Sequence, residues 1–374
     1  MSDLDFKSSP TTSLGMEIEL QLLNPDTLQL VDGILPLLSQ NLENNCIQPE
    51  FNQATVEIAS HVCLDIEELK ADIISILRNL KAQCDNLGMT LCAAGTHPVC
   101  DRFATVTPIP RYIQQQENAG YLADLMMTFA LHLHVGMSSG DEAIDIMNRL
   151  KPYLPIFLAL SASSPFWWGN DTGFASYRQR FLASMRNYGI PPTFQNWQDF
   201  NNFWQMAKQA KIFNIIRDIH WDLRPQPELG TLEIRVMDAQ PTVQNSIMLA
   251  AFIHTLILYL QLHRDGKETG YILNPQHWFI EKENYYRASV DGIDANYIED
   301  NQGNTRPIKQ IILDILNALS VTGDKLGETK YLQLIPQHLE LGLSYINQRQ
   351  IWQQTGSFQA VTASLVEALE AELK

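Results

Sequence analysis

The chain has 374 residues, 45% of them hydrophobic and 18% charged, with a formal charge of −16. This length allows one large domain or two smaller ones with ample core, and the composition is that of a soluble globular protein. The negative balance excludes nucleic acid and anionic membrane as partners, because their phosphates would be repelled.

The five cysteines (Cys46, Cys63, Cys84, Cys92, Cys100) are odd in number and form no Cys-x-x-Cys, so reduced thiols in a cytoplasmic protein are expected. The first residues, MSDLDFKSSPTTS, are polar and carry acid early, unlike a secretory signal. The alternating run Gly15-Met16-Glu17-Ile18-Glu19-Leu20 predicts a strand, and Asn24-Pro25-Asp26 a turn before a short helix over 33–41. Residues 50–60 read as a strand entered through a loop. A long amphipathic helix over 63–87 starts at Asp65 and stops at Gly88. A small-residue strand over 89–95 leads to Thr96-His97-Pro98. Beyond a Pro- and Thr-rich loop, helix is expected over 112–121, strand over 127–138, and helix over 141–151, 153–162 and 196–210. The aromatic and small residues of 163–180 mark a functional loop. Strands over 219–223 and 231–238 suggest a hairpin around Arg224-Pro225-Gln226-Pro227-Glu228. From 241 onward the pattern is helical, with one loop at 291–304. Residues 247–262 are apolar but short for a membrane span, so a buried helix is expected; apolar helices near 241–262 suggest a homodimer. Strands first and helices last make an α+β arrangement.

Successive strand side chains alternate between faces, so Glu17 and Glu19 point one way and Met16, Ile18 and Leu20 the other. Two carboxylates about 6.6 Å apart repel by roughly 2.5 kcal/mol at an effective dielectric of about 20. A divalent cation between them reverses that sign. The pattern recurs: His132 and His134 oppose Leu131, Leu133 and Val135, Glu57 opposes Val56 and Ile58, and Glu233 and Arg235 oppose Leu232, Ile234 and Val236. If these strands share a sheet, one face is a polar trough suited to metal ions and phosphate. Glu50 differs from Glu57 by an odd number, so both reach one site only if the backbone turns or bulges between them.

No Gly-x-x-x-x-Gly-Lys-Ser/Thr, Gly-x-Gly-x-x-Gly, Gly-x-Ser-x-Gly or His-Glu-x-x-His occurs. What remains points to metal-assisted phosphoryl chemistry, with carboxylates and imidazole as ligands and Arg178 and Arg235 as counter-charge. The plainer readings are sheet histidines held by hydrogen bonds, a structural Glu233–Arg235 ion pair, packing by Phe166, Trp167 and Trp168, and a turn satisfied by His97. Taken alone, the residues reach only a metal-dependent enzyme of unknown reaction.

Six stretches, in order, resemble the YbdK-type carboxylate–amine ligases, relatives of the bacterial and plant glutamate–cysteine ligases. They are Gly15-Met16-Glu17-Ile18-Glu19-Leu20, Gly95-Thr96-His97-Pro98, His132-Leu133-His134-Val135-Gly136, Phe174-Ala175-Ser176-Tyr177-Arg178, His220-Trp221-Asp222-Leu223-Arg224-Pro225 and Thr231-Leu232-Glu233-Ile234-Arg235-Val236-Met237-Asp238. The resemblance implies one glutamine synthetase-like catalytic domain over 1–374, its core about 10–355 and a peripheral C-terminal helix over 356–374. It implies a curved, mainly antiparallel sheet with its active site on the concave face and helices on the convex side. It also implies ATP, two or three Mg²⁺ or Mn²⁺ ions, and an acyl phosphate that an amine opens to an amide, with glutamate and cysteine as default substrates. By motif position Glu17, Glu50 and Glu57 resemble the ligands of one metal, and Glu19, His134 and Glu233 those of a second. Arg178 and Arg235 fall at phosphate or acyl-phosphate contacts, and His132 and His97 are candidate cofactor contacts. The 100–110 loop keeps chiefly Arg111-Tyr112 of the family pattern. A phosphotransferase on the same scaffold, or a non-catalytic nucleotide- or amino-acid-binding regulator, fits the same face.

Overall fold

The computed structural model describes all residues except 1–3, 10–11, 42–44, 101 and 265–269. Seven strands form its main sheet: β1 (Leu14–Leu23), β2 (Ile47–Pro49), β3 (Thr55–Ala59), β4 (Thr90–Cys92), β5 (Ala130–Gly136), β6 (Leu223–Gln226) and β7 (Thr231–Asp238). Their order is β6-β7-β5-β1-β3-β2, with β4 paired to the end of β1, and every pairing is antiparallel. The alternation predicted for β1 is observed: Met16, Ile18 and Leu20 are buried while Glu17 and Glu19 are half-buried.

Helices cover the apolar face. Ile66–Asn86 packs on β1, β3 and β4; its N-cap Asp65 accepts a hydrogen bond from the Glu68 N–H at 2.8 Å, as the sequence suggested. Gly140–Leu150 and Leu154–Ser161 lie against β6 and β7. Val243–Leu262 is the one helix among the described residues long and apolar enough to cross a membrane. It is instead 83% buried, enclosed by Ile66–Asn86, Gly140–Leu150, Ile308–Leu326 and Thr329–Leu332. Its apolar surface is consumed within one chain, which removes the reason for expecting a dimer there.

Three local expectations are corrected. Arg224, Pro225 and Gln226 are not a turn but strand β6, and the connection to β7 shrinks to four residues. Pro225 is tolerated because β6 is an edge strand, where a missing N–H costs no ladder bond. The expected loop at 291–304 holds strand Asn296–Ile298, which pairs with Thr305–Pro307. The C-terminal helix Phe358–Leu373, expected as peripheral, packs on β4 and buries Val361, Leu365, Val366 and Leu369. It shares an apolar cluster with Cys92, which pairs with Gln21 and so faces the same side of the sheet as Glu19. Not every helix therefore sits on the convex side.

Candidate active site

Register brings the scattered polar residues together. Directly opposed strand residues point to the same face. Glu19 lies opposite Glu57, Glu17 opposite His132, and His134 opposite Glu233, which in turn lies opposite Arg224. Glu50 joins them because the backbone turns between it and Glu57. It follows β2, a separate strand folded back on β3 with Gln48 opposite Glu57, so the even-numbered residues of β2 share the face of the odd-numbered residues of β3. Sequence reading gave one strand over 50–60 and did not include Ile47–Pro49.

The face borders a cavity of about 580 Å³ lined by Glu17, Glu19, Glu50, Glu57, His132, His134, Arg178 and Arg235. Arg111, Arg217, His220 and Arg224 complete a basic side. The His220 ring stacks on Tyr188, with centroids 4.7 Å apart and planes within 5°.

Glu233 lies beneath the cavity floor, fully buried. Arg224 grips it with two hydrogen bonds, Nε to Oε2 at 2.8 Å and Nη2 to Oε1 at 3.0 Å, and Gln226 Nε2 adds a third at 2.7 Å. Arg235 bonds Oε1 as well. Burial alone would raise the Glu233 pKa, but Arg224 and Arg235 hold it well below the usual carboxylate range. The structural ion pair weighed from the sequence is present, and Arg224, hidden there inside a supposed turn, is its stronger half.

The other carboxylates are differently placed. Glu17 is approached by His132 Nδ1 at 3.2 Å and His134 Nε2 at 3.4 Å; against the effect of burial, these imidazoles hold it well below the ordinary range. Glu19 accepts the Ala130 N–H at 2.7 Å, yet burial and the neighbouring Glu50 push its pKa up to about 7. Burial, reinforced by Glu17, Glu50 and Glu19, drives Glu57 well above its normal value, and burial raises Glu50. Burial, with Arg235 nearby, lowers His132 to about 4.

This donor set fits divalent metal. Oxygen donors crowd together, and the buried Nε2 of His132 has no hydrogen-bond partner among the described residues. Two trios lie close enough to hold an ion: Glu17, His132 and Glu233, and Glu19, Glu57 and His132. Both include His132, expected as a nucleotide contact; neither contains His134 or Glu50, which the family pattern placed in the two metal sets.

His97 stands apart. It is buried away from the cavity, with Nε2 2.9 Å from the Leu28 carbonyl oxygen and Nδ1 accepting the Val99 N–H at 3.2 Å. The turn reading of this histidine is the one the geometry matches: Nδ1 serves the turn at Val99, and Nε2 ties it to the backbone of the distant Leu28. In the 163–180 segment, Phe166–Trp167 and Asn170–Asp171 form a small hairpin, and Arg178 opens into the cavity from the short helix Tyr177–Leu182. Phe166 packs on Trp352 and Phe358, and Trp167 stacks on Phe181, so these aromatics pack.

Glutamate-cysteine ligase family 2 (GCS2) matches residues 13–364. A relative from Trichormus variabilis, named "Putative glutamate--cysteine ligase 2", is 68% identical over 100% of this chain and 96% of its own length. One of the same name from Thermobifida fusca is 36% identical over 98% of this chain and 93% of its own. Among solved structures, the glutamate–cysteine ligase of Francisella tularensis in complex with AMP superposes with a TM-score of 0.67 at 14% identity, covering 98% of this chain and 92% of that one. A bifunctional glutathione synthetase from Pasteurella multocida gives a TM-score of 0.70 at 14% identity, covering 97% of this chain; this chain spans 52% of that enzyme's length. The α+β fold with its antiparallel sheet is the one these ligases share. The chain belongs to glutamate–cysteine ligase family 2, a family of ATP-dependent carboxylate–amine ligases.

Proposed function

We propose that the chain joins a small carboxylic acid to an amine at the expense of ATP, with glutamate and cysteine as the first pair to test, in the cytoplasm. Supporting this is one observation above the rest: four carboxylates and two arginines from remote parts of the sequence share the wall of one cavity. Glu17, Glu19, Glu50, Glu57, His134 and Glu233, with His132 in reach, would hold Mg²⁺ or Mn²⁺, which would neutralise charge on polyphosphate oxygens. Arg178 and Arg235, which line the same cavity, would stabilise the phosphoryl group as it passes to the acid. The acid's oxygen attacks the γ-phosphorus and ADP leaves; the amine nitrogen then adds to the acyl carbon and phosphate departs. Cys63, Cys84 and Cys92 are free thiols, in keeping with a reducing compartment.

The test is ADP release with ATP and Mg²⁺ across a matrix of acids and amines, with products identified by mass spectrometry. Amide formed only when acid and amine are both present is the expected result. A stable phosphorylated product without amine would make the chain a phosphotransferase, and nucleotide binding with no turnover across the matrix a regulator. Glu17→Gln should cut turnover most at limiting Mg²⁺ with little loss of fold.

A further inference from the structure

We infer that Asp238 is a positioning residue that fixes the Arg178 guanidinium at the phosphate side of the cavity. The inference rests on the reading of Arg178 as a phosphate contact.

The alternation of β7 does not place Asp238 near Arg178. Continued from Glu233 and Arg235, it would aim residue 237 at the cavity and 238 at the core. A β-bulge changes this: Ile234 pairs with Leu133 but Met237 pairs with Leu131, so Arg235 and Val236 together oppose His132. Beyond the bulge Asp238 lies opposite Ala130, on the face of Glu19 and His132. The bulge thus re-aims one carboxylate and presents two carbonyls at the same point.

Arg178 uses both. Its Nη1 donates to the Val236 carbonyl at 3.4 Å and its Nη2 to the Arg235 carbonyl at 3.5 Å, while Nη1 lies 3.6 Å from Asp238 Oδ1. Asp238, fully buried, also gathers the segment that carries Arg178. It accepts the Ser163 N–H at 2.8 Å, the Ser164 hydroxyl at 2.7 Å and the Ser176 hydroxyl at 3.0 Å. Ser164 Oγ in turn accepts the Arg178 N–H at 3.1 Å. Gly95 permits this packing, since a Cβ there would sit 2.5 Å from the Asp238 carboxyl carbon. One carboxylate therefore holds both the backbone and the guanidinium of Arg178. The guanidinium contacts are long, and Nε has no partner among the described residues, so donors remain for a ligand.

The test measures binding of a non-hydrolysable ATP analogue and of ADP, each with Mg²⁺, by titration calorimetry. Arg178→Ala, Asp238→Asn and the double variant are compared with the unaltered chain. Expected are a roughly 10-fold loss of analogue affinity for Arg178→Ala, a roughly 5-fold loss for Asp238→Asn, and a double variant no weaker than Arg178→Ala, with ADP affinity little changed. Losses that multiply in the double variant overturn the positioning role, as does a folded Asp238→Asn that binds like the unaltered chain. Unchanged affinity in Arg178→Ala removes Arg178 from the phosphate site and the inference with it, whereas no binding by the unaltered chain overturns the nucleotide reading itself. If Asp238→Asn does not fold, Ser176→Ala decides: a two- to four-fold loss present with Arg178 and absent without it supports the role, and any other pattern overturns it.

Discussion

Two corners of one cavity solve the problem of buried charge in opposite ways. Around Glu233, guanidinium groups from Arg224 and Arg235 and an amide from Gln226 meet both carboxylate oxygens, and the corner is neutralised from within. Around Glu19, Glu50 and Glu57, acids crowd one another, and burial raises all three pKa values. The first corner is charge-balanced by its own arginines. In the second, burial and neighbouring acids favour the protonated form, a cost that a bound cation would relieve.

The contrast breaks most visibly if Glu57→Gln leaves catalysis intact. Expected instead is a loss of turnover of about 100-fold, measured as ADP release over a Mg²⁺ titration, with no loss of melting temperature in EDTA because a repulsion has been removed. The opposite corner should respond in stability. Arg224→Met strands half of the bonds to a buried carboxylate, and urea unfolding should show a cost of about 3 kcal/mol. The pH dependence sharpens the comparison further. Glu19, with a folded-state pKa of about 7 against an ordinary 4.5, favours the fold when protonated, and that contribution is lost as pH rises through 7. His134 is also raised, against the effect of burial, by Glu233 and Glu17, and acts in the same direction; Glu17 and Glu233 are lowered and matter only in acid. Melting temperature in EDTA should therefore fall from about pH 6.5 to pH 7.5, above the range in which the lowered His132 and His220 pull the other way, and Mg²⁺ should restore it at the upper end. The smallest effect is expected outside both corners: His97→Gln should leave nucleotide affinity within about twofold and cost about 1 kcal/mol, from the lost bond to Leu28.

Period-two alternation made Glu17, Glu19, Glu57, His132, His134, Glu233 and Arg235 legible as one face, because each sits on a regular strand with a buried opposite side. Where the backbone departs from regularity, that signal fails. Glu50 could not be placed because a strand reversal separates it from Glu57, and Arg224 was concealed by two prolines that read as a turn but mark a sheet edge. Asp238 was invisible because a bulge shifts the parity one residue after Arg235. His97 shows the converse risk: a matched motif places a residue in the chain, yet its ring nitrogens answer to the nearest backbone. The reaction class came from ordered motifs, since alternating acids do not distinguish a ligase from a kinase.

The Val243–Leu262 helix also bears on how the chain must be made. Two of its covering helices, Ile308–Leu326 and Thr329–Leu332, are encoded after it. During synthesis some twenty greasy residues therefore leave the ribosome ahead of part of their own shelter. Any truncation ahead of residue 308 keeps most of the catalytic wall and strips that cover, so such fragments should aggregate rather than work.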